Sequence, residues 1–308
     1  MQRVRLMTWC SSCVSGMHLP AFAAAEGGLF AERDLEVQFV PAARFRDFSL
    51  SGFTTRITAV ADGDADFALT SAVYLLAAQA EADSCLPVRF VAAAHQRNPI
   101  VGVVREDSDL RTPADLAGAR AARWSIPWFT QEYAGALEHM GLKTPQIVEV
   151  PGDLDEALGA GEIDVIPTWM DMTLYHRDAG FRMRTIPLDI PVYTTGLVAA
   201  DRVPRDVVAR VRDAFVAGHE LQRRQPELGL AAFRRYFPSV SEEHARANWA
   251  LYEPYAFDGV PPGDMDAERW HDTIGYAATT HGLPALPGEQ MYRPDFLAPN
   301  LARVGVAA

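Results

Sequence analysis

The chain has 308 residues, 49% hydrophobic and 22% charged, which is enough for two lobes of ordinary domain size, each with its own core. Its formal net charge of -12, with both signs interspersed, excludes a general nucleic-acid binder, which needs a basic face to release counterions. A small anionic ligand stays admissible, because a local pocket can be positive on an acidic protein.

The N-terminal MQRVRLMTW lacks the charged, apolar and small-residue succession of a secretory leader, and strand-like alternation begins at Val4–Thr8. A cytoplasmic location is therefore expected, with a periplasmic or cell-surface one as the alternative if a leader was removed. No stretch reaches the roughly 18 consecutive apolar residues of a membrane span. A helix follows at Leu19–Ala31, a strand at Leu35–Val40, a helix at Phe53–Ala61, a short strand at Asp66–Leu69 and a helix at Ala72–Ala80. Val88–Ala92 and Ile100–Val104 are β-branched apolar runs. A similar set comes next: strand Ala119–Arg123, helix Phe129–Met140, strand Gln146–Val150, helix Leu154–Gly159, strand Asp164–Pro167, then strand-like Arg184–Ile186 and Val192–Val198. From about Arg205 the pattern is helical, over Val207–Arg223, Leu228–Tyr236, Ser241–Leu251 and Met265–His281. The last stretch carries Pro294 and Pro299 and reads as a C-terminal wrap. Strands alternating with helices imply an α/β protein with parallel βαβ units and helices on both faces of each sheet. No repeat, low-complexity tract or flexible linker interrupts the pattern, so short crossover strands should join the lobes and form a hinge over a cleft.

A series of short motifs carries a resemblance. HLPAF at 18–22, Ala24, GLF at 28–30 and LEV at 35–37 look like the opening of solute-binding proteins of the sulfonate, nitrate and taurine class of ABC transporter. ADGDADFA at 61–68, VVREDS at 103–108, TPADLAG at 112–118 and ALGAGEID at 157–164 follow in family order. The thiamin-pyrimidine-precursor synthases share the superfamily, and sulfinate desulfinases share the fold. The resemblance implies a periplasmic-binding-protein type II fold. Lobe one would take residues 1–98 plus 193–308, lobe two residues 99–192, each a mixed, mostly parallel sheet, with a ligand cleft between them. The hinge would lie near Gln96–Ile100 and Pro191–Thr195.

In open α/β sheets ligands sit beyond the carboxyl ends of strands, where helix N-termini offer free N–H groups to an anion. Four such places stand out: Trp9–His18, with Trp9, Ser11, Ser12 and His18; Thr70-Ser71; Ser125–Thr130, with Ser125, Trp128 and Thr130; and Thr168–Asp171, with Thr168 and Trp169. The plain alternative is that these hydroxyls are N-caps. Trp9, Trp124, Trp128, Trp169 and Tyr193 cluster at the same ends and are core residues or walls for an organic ligand. Arg44, Arg46 and Arg56 are surface ion-pair partners or guanidinium forks for a carboxylate or sulfonate. His18 is a donor to the anion or an N-terminal histidine without that role.

Cys10 and Cys13 form a CxxC, but the pattern around it is not that of a thioredoxin-like unit, and Cys85 alone cannot complete a zinc site. No metal and no cofactor are expected. Trp9–Ser15 would be the first ligand loop, with Cys10 or Cys13 lining the pocket. In the desulfinases a cysteine on this loop acts with a histidine and an arginine. Counting from Gly28, the nucleophile position falls on Ser15, Arg56 suits the arginine, and Arg46 stands where the histidine would be. The precursor synthases carry a cysteine-rich run and a histidine in the helix after the ADF strand; this chain has Tyr74 in that area and no such run, and their activity is set aside. The first reading is a monomeric binder that closes on a small organic anion, with an ABC permease as partner only if it is exported. The alternative is a cytoplasmic lyase, desulfinase or decarboxylase on a small organic acid, with Cys10 or Cys13 and Arg56 as its catalytic groups.

Overall fold

Alternation at Val4 and Leu6 buries both side chains, and the segment becomes strand β1 (Gln2–Cys10) of a five-stranded sheet. The computed structural model describes residues 1–10, 15–42, 50–123 and 127–298, and it omits the side chains of residues 9, 10, 50 and 51. The other strands of this sheet are β2 (Leu35–Ala42), β3 (Phe67–Ser71), β4 (Val88–Ala93) and β10 (Thr195–Ala200), in the order β2-β1-β3-β10-β4. β1 runs parallel to β2, with Val4 opposite Val37, and parallel to β3, with Leu6 opposite Phe67. Every residue of central β3 is buried, as a strand covered on both faces requires.

Residues 100–187 hold the remaining strands. β5 (Ile100–Arg105) lies between β8 (Ile166–Trp169) and β9 (Met183–Pro187), while β6 (Arg120–Arg123) pairs with β7 (Gln146–Glu149). A bridge between Ala121 and Val165 links the two groups. The sheets are mixed, but less parallel than strand–helix alternation implies. β5 is antiparallel to β8 and β9, and β10 is antiparallel to β3 and β4. The reason is the crossing: β5 and β10 are the strands through which the chain enters one sheet and returns to the other, without an intervening helix.

The helices are α1 (Leu19–Glu26), α2 (Leu50–Phe53), α3 (Thr55–Asp62), α4 (Ala72–Glu81), α5 (Pro127–His139), α6 (Leu154–Ala160), α7 (Thr173–Asp178), α8 (Arg205–Arg224), α9 (Pro226–Tyr236), α10 (Glu242–Ala256), α11 (Ala267–His281) and α12 (Gly288–Met291). α1 stops earlier than its apolar run suggests, because Gly28 takes φ 74° and the N–H of Leu29 turns back to the carbonyl of Ala24. Buried Leu19–Ala24 is covered by α8 and α9, and the approach is close: a Cβ on Gly218 would stand 2.1 Å from the carbonyl of Pro20. The short α7 carries no apolar periodicity that sequence reading could detect. It is held by Thr173 Oγ1, which donates to the Met170 carbonyl at 2.6 Å, and by packing against α10. Residues 291–298 lie along β4, where Arg293 N–H donates to the Phe90 carbonyl at 3.0 Å and Phe296 is buried; the rest of the expected C-terminal wrap, with Pro299, lies outside the described residues. Among the described residues no helix is long and apolar enough to cross a membrane.

The two crossovers lie side by side. Asn98 N–H donates to the Ile190 carbonyl at 2.9 Å, and Thr194 Oγ1 donates to the Arg97 carbonyl at 3.1 Å. They bring the carboxyl ends of β3 and β8 toward one another.

Candidate functional site

Aromatic rings from both groups of strands meet between those strand ends. Phe53 of α2 stacks on Tyr74 of α4 with centroids 5.0 Å apart, and both meet the indole of Trp128 edge-on, at 5.9 and 5.6 Å. Trp128 opens α5 and stands 5.2 Å from Trp169 at the end of β8, the rings being nearly perpendicular. His95, just past β4, also meets Trp169 edge-on, with centroids 6.4 Å apart. Such tilted and edge-on pairs place the positive edge of one ring against the negative face of the next.

Polar groups gather around this wall. Arg56 on α3 is 1% exposed, and burial lowers its guanidinium from the ordinary 12.5 to about 10, so it keeps its charge at neutral pH. His18 is fully buried, and burial together with the Arg56 charge pushes its imidazole down to about 3, so the ring is neutral. Tyr74 is held above the usual phenol range by burial, against the pull of Arg56. Among the described residues, Thr70 Oγ1, Ser71 Oγ, Thr168 Oγ1 and Trp128 Nε1 are buried without a hydrogen-bond partner. Ser71 occupies the N-cap of α4, yet its hydroxyl makes no capping bond. Buried donors left unpaired cost free energy, about 1–3 kcal/mol each, and functional sites are where that cost recurs. The arrangement can take a group rich in acceptor oxygens, with a cation nearby and aromatic walls for an organic remainder.

The first loop turns into α1 through a 3₁₀ turn at Gly16–His18. Gly16 N–H donates to Asn248 Oδ1 at 3.0 Å, and a Cβ on Gly16 would stand 2.7 Å from the Asn248 carbonyl, so the turn lies flat on α10. The Ser15 hydroxyl donates to the carboxylate of Asp171, just past β8, and burial raises the pKa of that carboxyl. A second contact joins the same two regions: His244 Nδ1 of α10 lies 2.6 Å from Asp178 Oδ2 of α7.

Several expectations change. Thr130 does not present its hydroxyl to this region, because Oγ1 donates to the Ala122 carbonyl at 3.2 Å. Tyr193 belongs to the packing against α11: its hydroxyl donates to Asp266 Oδ2 at 3.2 Å and accepts from Asp266 N–H at 2.9 Å. Ser11, Ser12, Cys13, Arg44, Arg46, Trp124 and Ser125 lie outside the described residues, as do the side chains of Trp9 and Cys10. His18, Arg56, Ser71, Trp128, Thr168 and Trp169 are all buried. The structure adds Phe53, Tyr74 and Glu132. Glu132 had a signal: Phe129, Glu132, Tyr133, Ala136 and Leu137 share one buried helical stripe, and a carboxylate in such a stripe is out of place unless it has partners. Among the described residues no group of three His, Cys, Asp or Glu side chains could hold a metal ion.

Comparison with solved structures places the fold. The periplasmic aliphatic sulphonate binding protein SsuA from Escherichia coli is 17% identical and superposes with a TM-score of 0.68, over 100% of this chain and 97% of that one. The sulfonate-binding SsuA from Methylobacillus flagellatus is 18% identical with a TM-score of 0.65, over 96% and 92% of the two chains. The desulfurization enzyme DszB is 14% identical with a TM-score of 0.59, over 96% and 97%. These likenesses establish a shared periplasmic-binding-protein fold. No curated protein sequence matches the chain. The family model described as NMT1/THI5 like matches residues 15–227, and the chain belongs to that family.

Proposed function

We propose that the chain binds a small organic anion between its two groups of strands, the charged end near Arg56 and His18 and the organic part against Trp128 and Trp169. The observation that carries this reading is the set of buried, unpaired donors on Thr70, Ser71, Thr168 and Trp128, beside a buried guanidinium. A bound oxyanion would satisfy these groups and offset the desolvation of Arg56. The lobes would be residues 1–98 plus 193–308 and residues 99–192. The strands of the first sheet fall at 2–93 and 195–200 and the others at 100–187, which supports that division. Closure would be a hinge motion about the paired crossovers, with the chain acting as a monomer.

Sulfonate binding by the SsuA neighbours favours a sulfonate or a carboxylate of similar shape. Those neighbours include a protein described as periplasmic, against the cytoplasmic expectation. An ABC permease would be the partner of an exported form. A second reading, a desulfinase-like lyase, draws on Ser15, which stands at the position counted from Gly28 and donates to Asp171, and on the DszB structure bound to biphenyl-2-sulfinic acid.

A thermal-shift screen of sulfonates, sulfinates and aromatic carboxylates, followed by mass analysis, tests both. An anion that stabilises the protein and is recovered unchanged supports binding, and Arg56→Met should lose the shift. Conversion that is lost in Ser15→Ala, Cys10→Ala or Cys13→Ala supports the enzyme. No stabilisation by any anion in the screen would sink the binding reading.

A further inference from the structure

We infer that Glu132 is a positioning residue of this cleft: its carboxyl group fixes the Trp169 indole as a wall of the anion site, ties that wall to the crossover strands and makes anion retention depend on pH. The inference rests on the cleft reading above for its ligand, but not for its geometry.

Glu132 is 2% exposed and its two oxygens face in different directions. Oε2 accepts from Trp169 Nε1 at 2.9 Å, and Oε1 accepts from Asn98 Nδ2 at 3.3 Å. Asn98 is itself built into the crossing: its Oδ1 accepts from Ile100 N–H at 3.0 Å, and its own N–H donates to the Ile190 carbonyl at 2.9 Å. The backbone carbonyl of Glu132 accepts from the Tyr276 hydroxyl of α11 at 3.0 Å. One carboxyl thus joins a ring at the end of β8 to the first crossover, on a helix braced by α11. An indole has few ways to lie flat in a wall, and a hydrogen bond at Nε1 selects among them. If the carboxyl rotates or is lost, the indole loses the hydrogen bond that selects its orientation and the crossover loses its link to the wall.

The charge of this group reaches the anion site. Glu132 and Arg56 act on Tyr74 in opposite directions, so the fields of both groups reach the same side chain. Burial raises Glu132 from the ordinary 4.5 to about 7, against the hydrogen bonds from Trp169 and Asn98. The groups around it do not change charge near neutrality: Tyr74 from α4 and Tyr276 from α11 are pushed up by burial, and His95 beside Trp169 is pushed down to about 3. Asp171, two residues past Trp169, is also raised and serves as the control. Below neutrality the site holds a neutral acid. Above it, a carboxylate repels the anion, so anion binding and proton uptake at Glu132 favour one another.

The test uses the full chain and two readouts. The first is tryptophan emission of the ligand-free protein against pH, in wild type, Glu132→Gln, Trp169→Phe and Asp171→Asn. A midpoint near 7 that survives Asp171→Asn but is lost in Glu132→Gln and in Trp169→Phe is expected. A midpoint that persists in Glu132→Gln, or disappears in Asp171→Asn instead, overturns the inference. The second is titration with benzenesulfonate. The wild-type Kd should rise roughly tenfold between about pH 6 and about pH 8, one unit of linkage, and the Kd of Glu132→Gln should stay flat. A benzenesulfonate Kd that rises in Glu132→Gln as it does in wild type overturns the coupling. If benzenesulfonate does not bind wild type, the cleft reading fails for that anion, and the emission titration still decides the role of Glu132.

Discussion

Lowering the pH from about 7.5 to about 5 should remove about 6 kcal/mol of stability through the three fully buried histidines, about 2 kcal/mol from each. His18 and His95 are held at about 3 and His219 at about 4, in each case chiefly by burial, against an ordinary 6.5. The sign follows from proton binding. The unfolded chain takes up a proton at each histidine as the pH falls through 6.5 and the folded chain does not, so the unfolded state gains. The neutral rings are built into the packing: His219 Nε2 is hydrogen-bonded to the Tyr252 hydroxyl at 2.8 Å, and His95 Nδ1 to Thr195 Oγ1 at 2.8 Å. Glu132 acts in the opposite sense. With its folded value raised to about 7 it favours the folded state as the pH falls, by about 2 kcal/mol over the same interval, which leaves a net loss of about 4 kcal/mol from these four groups. Urea denaturation at a series of pH values, with wild type and His219→Gln, measures the slope. His219→Gln should lose about a third of the histidine contribution, and Glu132→Gln should make the acid loss steeper. Stability constant to within about 1 kcal/mol over the interval, or a His219→Gln slope equal to wild type, would refute the reasoning.

Other substitutions probe single contacts. Arg56→Met should abolish stabilisation by anions, because it removes the buried cation; thermal denaturation with and without anion checks this. Gly218→Ala should cost about 2–4 kcal/mol, since a Cβ 2.1 Å from the Pro20 carbonyl forces α1 and α8 apart; the denaturation midpoint reads it. His244→Ala removes the 2.6 Å contact with Asp178 and should raise amide exchange through residues 170–178, at a cost of about 1 kcal/mol.

Much of the fold was legible in the chain because its signals are local. Alternation at Val4 and Leu6, the buried run at Phe67–Ser71 and the amphipathic pattern of α8 each need only one stretch of sequence and a knowledge of what water avoids. The short motifs added the order of the elements and, with it, the kind of fold. Strand direction was less visible, because whether β5 and β10 run with or against their neighbours depends on where the chain crosses and not on their own residues.

The residues of the candidate site divide in the same way. Thr70-Ser71 and Thr168-Trp169 could be picked out by their place at strand ends, but sequence could not distinguish a capping hydroxyl from an unpaired one. Thr130 and Tyr193 have the same chemistry as the others, and only packing shows that their hydroxyls are taken up by Ala122 and Asp266. Composition and periodicity determined that this chain forms strands and helices around buried faces. Tertiary structure alone decided that Arg56, His18 and the Trp128–Trp169 pair share one dry region and that Glu132 reaches both Trp169 and Asn98. Those meetings join residues far apart in sequence, and in a dry interior the cost of each charge or donor is set by which neighbours the fold places within reach.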